Sequence, residues 1–215
     1  MELATAACQN GGMSADDIAV LRIELNDIEP LIWRRVAVRT ATNLQTLHRI
    51  IQAAMGWQDY HLWEFTADGK TYGVPDPEDA SWGHKVYRAS GTALARLIEG
   101  GVTAFEYTYD MGDNWEHRIV VERVKPAEPG MFYPDFHGGE RRCPPEDCGS
   151  VPGYYEFLDI IAGPDKGKGS RQKKEMLAWY GRSYDPDDID EAQIRAALKR
   201  LANAGRRDRS KPADV

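Results

Sequence analysis

The sequence has few cysteines and no long apolar run. Its three cysteines, Cys8, Cys143 and Cys148, are too few for a disulfide framework in 215 residues, which is typical of a chain kept in a reducing compartment. No segment approaches the ~18 consecutive apolar residues of a membrane-spanning helix, and the first residues lack the basic and apolar regions of a signal peptide. We therefore expect a soluble, cytoplasmic protein with no membrane partner.

Glycine and proline, with 20 and 12 residues, stay well below the shares found in collagen-like and low-complexity chains, which excludes both classes. A hydrophobic fraction of 42% is enough to bury a core, and the length suits one domain with short extensions. The small, polar start and the charged end predict a flexible leader over residues 1–16, a single domain over 17–204 and a basic disordered tail over 205–215.

Basic charge is scarce in most of the chain. Residues 1–165 carry 14 Lys and Arg against 26 Asp and Glu, a net charge of −12, whereas residues 166–215 carry 13 against 8, a net charge of +5. Because nucleic-acid affinity comes from neutralising phosphates, only residues 166–211 offer a nucleic-acid contact. Such a basic segment is more often a solvated surface, so this contact is the weaker expectation.

Alternating apolar and polar residues, interrupted by turn formers, predict three β-hairpins. They pair residues 18–25 with 32–39, 61–66 with 70–73, and 102–109 with 115–124. Helical periodicity predicts helices over 44–55, 93–98, 154–161, 173–180 and 190–201. Strands that come first and helices that come last predict an α+β fold, with a mainly antiparallel sheet, helices packed on one face and a helical C-terminal part.

The proline- and glycine-containing segment that follows Lys125 is predicted to be an irregular loop of about 28 residues, a length typical of functional or stapled loops. Residues 74–90, which contain Pro75 and Pro77, are also predicted to be largely irregular. We expect the ribbon that ends at Trp115 and the cysteine-bearing segment after Phe136 to meet on one side of the domain.

The turn of the third hairpin contains candidate binding residues. Asp110 and Asp113 lie in the turn, and Trp115 and His117 share one face of the next strand. These groups suit a hard cation or acid–base chemistry, but the alternative is that the aspartates bond turn amides and the rings pack in the core. With Phe136 as a further aromatic, the candidate residues for a groove that binds a protein or peptide are Tyr109, Asp110, Asp113, Trp115, His117, Tyr133, Glu146 and Asp147.

Cys143 and Cys148 enclose four residues, the long end of the spacing in zinc knuckles, and His137 lies upstream as a third ligand. Zinc prefers four ligands, so three alternatives stay open: a zinc site, a disulfide, or two free thiols in a proline-fixed loop. Zinc is the one cofactor that the sequence suggests. No complete catalytic set is recognisable, so enzymatic activity is not favoured and no catalytic residue is assigned.

Four stretches carry uncommon residue strings in a fixed order: 24–35, 44–65, 107–117 and 143–154. Together they resemble the plasmid pRiA4b open-reading-frame-three-like family of bacterial and plasmid-borne proteins, over residues 18–200. The resemblance implies a recognisable fold without an established activity, and some relatives carry a resolvase-like label. Ser150 departs from the family pattern, in which a second glycine is expected after Gly149.

The resolvase-like label has little chemical support in this chain. A serine recombinase requires a serine surrounded by arginines that hold the phosphate, and the seven serines stand apart from arginine clusters, except Ser170 and Ser210. The favoured interpretation is a non-catalytic protein- or peptide-binding module in a mobile-element or regulatory context. The alternatives are a zinc-binding protein or metal-dependent enzyme that uses Cys143 and Cys148, and a DNA-handling accessory protein that uses residues 166–211.

Overall fold

A central sheet organises the computed structural model, which describes residue 14 and residues 16–76 and 85–209, the side chains of 205–209 excepted. The described residues form eight strands in the order β5-β4-β3-β6-β7-β1-β2-β8. The strands are β1 (Asp17–Leu25), β2 (Trp33–Arg39), β3 (Trp63–Ala67), β4 (Lys70–Gly73), β5 (Val86–Arg88), β6 (Ala104–Tyr109), β7 (Trp115–Pro126) and β8 (Asp135–Glu140). Every neighbouring pair is antiparallel except β4 and β5.

The three predicted hairpins are β1–β2, β3–β4 and β6–β7. Their tight connections set the register, so that Tyr109 pairs with Trp115 across the β6–β7 turn. The predicted α+β class with a mainly antiparallel sheet is confirmed. The β3–β6 pairing, in which Trp63 lies opposite Tyr109, brings the second and third hairpins together.

The two edge strands, β5 and β8, lie in segments that were predicted to be irregular, and that prediction is wrong for both. β5 has three residues and pairs in parallel with β4, which leaves no local hairpin signal. β8 contains Gly138 and Gly139, residues with low β propensity. A Cβ at Gly139 would lie 2.8 Å from the Cδ atom of Arg34, so this strand approaches β2 too closely for a side chain.

The described residues form five α-helices, all predicted: α1 (Leu44–Met55), α2 (Leu94–Glu99), α3 (Ser150–Ala162), α4 (Ser170–Tyr180) and α5 (Glu191–Arg209). Helix α1 begins after Asn43, whose side chain accepts the Thr46 N–H at 2.8 Å, and ends at Gly56 with φ 92°. Helix α3 begins earlier than predicted, and Ser150, where the family pattern has glycine, has φ 64°.

The predicted leader and tail fall mostly outside the described residues, which exclude 1–13, 15 and 210–215. Helix α5 extends to Arg209, so the first residues of the predicted tail are helical. No described helix has the length and apolar character needed to span a bilayer.

The core lies between one face of the sheet and the helices. Alternate residues of β1, such as Leu21 and Ile23, pack in one cluster with buried residues of the helices, such as Leu47 of α1 and Leu198 of α5. The opposite face of β1 carries a small second cluster in which Tyr133 packs with Ile18, Val20 and Ala37. The predicted packing of the helices on one face is confirmed.

Candidate functional site

Asp110 organises the turn between β6 and β7. Its backbone has φ 58°, a left-handed conformation that aspartate tolerates better than most residues. Its Oδ1 atom accepts the N–H groups of Gly112 at 2.9 Å and Asp113 at 3.3 Å. The side chain is only 9% exposed, so these bonds fix the direction of the second oxygen, Oδ2.

The segment between β8 and α3 closes over this turn. The Nε1–H group of Trp57 donates to the Pro144 carbonyl oxygen at 2.9 Å, and the Tyr109 hydroxyl donates to the carboxylate of Glu146 at 3.1 Å. The Gly149 N–H group donates to Asp113 Oδ2 at 3.1 Å. The turn before Trp115 and the cysteine-bearing segment therefore meet on one side of the domain, as the sequence indicated.

One histidine and three carboxylates converge where these segments meet. The Nε2 atom of His61 lies 3.1 Å from Asp147 Oδ1, 3.5 Å from Asp110 Oδ2 and 4.0 Å from Glu146 Oε2. Within the described parts of the chain, His61, Asp110 and Asp147 form the one group of three metal-ligand side chains whose donor atoms all lie within 4.8 Å of one another. We call these three residues the cation site.

One buried nitrogen atom of the cation site lacks a hydrogen bond, and a neighbouring carboxylate oxygen accepts none. His61 Nε2 has almost no accessible surface, and no described group bonds it with acceptable geometry, although carboxylate oxygens surround it. Asp110 Oδ2 accepts no hydrogen bond from any described N–H or O–H group. Buried polar atoms are normally paired. Nitrogen and oxygen atoms that converge without bonding one another are arranged like ligands around a cation.

Burial sets the protonation of the groups beside the cation site. Burial raises the pKa of Glu146, although hydrogen bonds from Gln58 and Tyr109 oppose that shift. The pKa of Tyr109 is raised by burial and by the neighbouring Glu146 charge, so the hydroxyl stays a donor at neutral pH. Asp147 is 65% exposed, which leaves one side of the site open to solvent.

The chemistry of the arrangement follows from its donor atoms. Imidazole nitrogen suits ions such as Zn²⁺, and carboxylate oxygen suits ions such as Mn²⁺, so the mixed set suits a divalent ion that accepts both. Three protein ligands with an open side leave a coordination position for water or for a donor from a binding partner.

The structure does not bring the three predicted zinc ligands together. Cys143 is buried and its Sγ atom contacts Arg34 Nη2 at 3.4 Å, whereas His137 lies in β8 and pairs with Asp135 at 3.2 Å. Both thiols are free, so the disulfide alternative is not observed. Burial raises the pKa of Cys143, and burial with nearby carboxylates raises that of Cys148 to about 12. Both thiols therefore stay protonated near pH 7 without a metal ion, which disfavours nucleophilic attack.

The candidate groove residues lie in three places: around the β6–β7 turn, in the core beneath it, and on the opposite face of the sheet. Tyr109, Asp110, Asp113, Glu146 and Asp147 lie together around the β6–β7 turn.

Trp115 and His117 lie beneath this group, buried against the ring of Trp57, with centroid distances of 6.2 and 5.3 Å. These two rings therefore pack in the core, and so does Phe136. Tyr133 is on the opposite face of the sheet, where its hydroxyl accepts the Glu128 N–H at 3.2 Å. A groove that combines Tyr133 with the turn does not exist in this fold.

Sequence reasoning missed His61. Residues 61–66 were predicted to be a strand, and His61 lies two residues before the first residue of β3. The pairing of Trp63 with Tyr109 places His61 beside Asp110, and neither hairpin reveals that register by itself. The available signal was a histidine at a strand start within the stretch 44–65 that carried the family resemblance.

Several basic residues of segment 166–211 are engaged within the protein. Arg171 pairs with Glu175 at 2.8 Å, Lys173 with Asp165 at 2.7 Å, and Arg195 with Glu191 at 2.7 Å. These contacts reduce the positive charge that the segment offers to phosphate.

A family model, a sequence relative and a solved structure each match most of this chain. The sequence model of the family described as plasmid pRiA4b ORF-3-like protein matches residues 17–193. An uncharacterized protein, y4hQ, from Sinorhizobium fredii (strain NBRC 101917 / NGR234) is 38% identical over 184 residues, which cover 85% of this chain and 91% of the relative. The crystal structure of a protein of unknown function, MM3350, from Methanosarcina mazei Go1 is 29% identical, with a TM-score of 0.73, and the match covers 84% of this chain and 97% of that one.

Proposed function

The chain belongs to the plasmid pRiA4b ORF-3-like family, and from that premise we propose that it is a non-catalytic, protein- or peptide-binding module in a mobile-element context, centred on a divalent metal ion held by His61, Asp110 and Asp147. The plasmid in the description of the family supports the mobile-element context. The geometry around His61 supports the metal ion, and the exposed side chains around it support a peptide partner.

The unpaired Nε2 atom of His61 carries the proposal for the metal. If the ring simply formed ion pairs, an N–H group would point at a carboxylate oxygen, and at 3.1 Å that would give an ordinary hydrogen bond. The absence of such a bond among the described residues, with oxygens of Asp147 and Asp110 on the same side, is the arrangement of ligands around a shared ion.

Exposed apolar side chains border the cation site and support a peptide partner. Tyr60 and Leu62, the chain neighbours of His61, are 66% and 75% exposed, and Met111, the neighbour of Asp110, is also exposed. Apolar side chains grouped around a polar centre are typical of an interaction surface. A carboxylate or carbonyl of the bound peptide would occupy the open coordination position beside Asp147.

Calorimetric titration of the chelator-treated protein with Zn²⁺, and electron paramagnetic resonance with Mn²⁺, test the metal proposal. We expect about one equivalent of metal to bind, and the substitution Asp147→Asn to weaken binding at least about tenfold, because a charged ligand becomes neutral. Asp147 is exposed, so the variant should keep the fold. The matched control is Asp68→Asn, an exposed aspartate beside Lys70 in the β3–β4 turn, which should bind metal as the unmodified protein does.

Two results would count against the metal ion. One is less than about half an equivalent bound, and the other is equal affinity for the Asp147→Asn and Asp68→Asn variants.

A further inference from the structure

A second concave surface, the α3–α4 groove, begins at the cation site. It is a cavity of about 430 Å³ between helices α3 and α4, and Asp147 belongs both to it and to the cation site. Its other charged and large apolar lining residues are Glu156, Phe157, Glu175, Met176 and Trp179. The groove is therefore part of the same face of the domain as the proposed metal ion.

The apolar wall of the groove ends in an exposed indole. Trp179 is 51% exposed. Its ring makes an edge contact with the buried ring of Phe157, with 6.3 Å between the two centroids. Among aromatic side chains, the face of an indole attracts cations most strongly. An indole that remains half in solvent beside Met176 supplies both apolar area and a surface for a cation.

The charge of the groove has one sign. Its lining includes the carboxylates of Asp147, Glu156 and Glu175, and no lysine, arginine or histidine is among the described lining residues. Glu175 pairs with Arg171 at 2.8 Å on the exposed surface of α4. The side-chain carboxylate of Glu156 forms neither an ion pair nor a hydrogen bond within residues 16–76 and 85–209. Its negative charge is therefore unbalanced at the groove.

We propose that the α3–α4 groove receives a cationic side chain, a guanidinium or an ammonium group, from a basic peptide segment of a protein partner. The methylene stem of an arginine or lysine would pack on Trp179 and Met176, while its charged end would lie near Glu156. This proposal rests on the proposed peptide-binding function but not on the metal ion. An acidic side chain is repelled by the carboxylates, and a neutral one forms only the weaker hydrogen bonds without charge assistance, so the groove discriminates by charge.

The test compares two labelled peptides by fluorescence anisotropy in the presence of a chelator. Both are acetylated and amidated pentapeptides of alanine, one with a central arginine and the other with citrulline, which has nearly the same shape but no charge. We expect the arginine peptide to bind about three- to tenfold more tightly, as for a single charge-assisted contact with a cation–π contribution. Added salt should reduce this preference.

Two variants locate the effect in the groove. Glu156→Gln removes the unpaired charge and should lower the preference for arginine at least about threefold. Asp159→Asn makes the same change on an exposed position of α3 outside the groove lining and should leave the preference unchanged. Both positions are exposed, so both variants should fold.

Equal affinity for the arginine and citrulline peptides would overturn the proposal, as would an unchanged preference in Glu156→Gln. Because the chelator removes the metal ion, this result is independent of the cation site. Metal binding without peptide discrimination would support the metal proposal and contradict the proposal for the α3–α4 groove. Peptide discrimination without metal binding would support the groove proposal and contradict the metal proposal.

Discussion

Burial determines the chemistry of His117. Its Nδ1–H group donates to the Tyr107 carbonyl oxygen at 3.1 Å, and its Nε2 atom has no described partner, nor does Nε1 of the neighbouring Trp115. Desolvation, which outweighs the hydrogen bonds to the backbone, lowers the pKa of His117 to about 4. The ring is therefore neutral in the folded protein near pH 7, as the packing interpretation of the Trp115–His117 pair requires.

We predict that the free energy of unfolding falls as the pH is lowered from about 6.5 to about 4. In this window the unfolded chain protonates His117 at its ordinary pKa and the folded chain does not, so the stability present above pH 6.5 is progressively lost. One buried histidine contributes up to ~3 kcal/mol. Urea denaturation at a series of pH values measures this slope, to which His48 adds in the same direction because burial lowers its pKa to about 4.

The substitution His117→Gln should make this slope shallower because it removes one of the two buried titrating groups. The control His137→Gln leaves both buried imidazoles in place and should keep the slope that His117 and His48 produce. An unchanged slope in His117→Gln would mean that the pKa of His117 is the same in the folded and unfolded states, against the effect of its burial.

Tyr109, the last residue of β6, connects the sheet to the segment that carries Glu146. Its hydroxyl accepts the Tyr60 N–H at 3.1 Å and donates to Glu146. We predict that Tyr109→Phe destabilises the protein by ~1–2 kcal/mol, because a buried carboxylate and a backbone N–H both lose a partner. The control is Tyr60→Phe, whose exposed hydroxyl bonds only Gln58 among the described residues and should change stability by less than ~0.5 kcal/mol. Equal effects in chemical denaturation would contradict the role of the Tyr109 hydroxyl.

Among the residues of the site, those that neighbour each other in sequence could be predicted, and those that meet through the sheet could not. Asp110 and Asp113 are recognisable from their turn, and Glu146 and Asp147 from the cysteine-bearing loop. His61 joins them only through the β3–β6 register, which no local pattern encodes. Tyr133 was assigned to the same groove because composition does not tell which face of a sheet a loop crosses.

At the scale of elements, strong periodicity predicted the helices and hairpins, and the exceptions have local causes. The alternation of β2 is irregular at Arg34, which lies in the core and donates to the carbonyl oxygens of Ala54 and Glu140, each at 2.9 Å. A buried arginine mimics an outward-facing position in a hydrophobicity pattern. Strand β8 escaped prediction because Gly138 and Gly139 weaken the strand signal. Gly139 is required by close contact with this same arginine, and Gly138 has a positive φ of 137°.

We predict that Gly139→Ala disrupts the pairing of β8 with β2. An added Cβ would lie 2.8 Å from both the Trp33 carbonyl oxygen and the Arg34 Cδ atom, so backbone must move, at a cost of ~1–3 kcal/mol. The control is Gly91→Ala, because a Cβ at that position meets no atom within 4 Å and needs no left-handed conformation. Hydrogen exchange should show faster exchange of the β8 amides in Gly139→Ala alone. Equal protection of the β8 amides from exchange in both variants would contradict the prediction, because it would show that β8 accommodates the added methyl group without losing its pairing with β2.

At the scale of the whole molecule, the cation site joins segments that are distant in sequence. His61 lies two residues before β3, Asp110 lies after β6, and Asp147 lies between β8 and α3. The first 165 residues carry a net charge of −12, so their carboxylates repel one another in the absence of a cation. The proposed metal ion would both neutralise part of this charge and hold three separate parts of the domain together.

We predict that Zn²⁺ or Mn²⁺ raises the thermal unfolding midpoint of the whole domain. A ligand that binds only the folded state stabilises it by ~2.7 kcal/mol at a concentration of one hundred times its dissociation constant, and this site is assembled only by folding. Differential scanning calorimetry should give one transition that shifts upward with metal and returns on chelation. In Asp147→Asn most of the shift should be lost, while Asp68→Asn should keep it. A midpoint that does not move at saturating metal would mean that His61, Asp110 and Asp147 form only an ion-pair network, because any ion bound to the folded arrangement must stabilise it against unfolding.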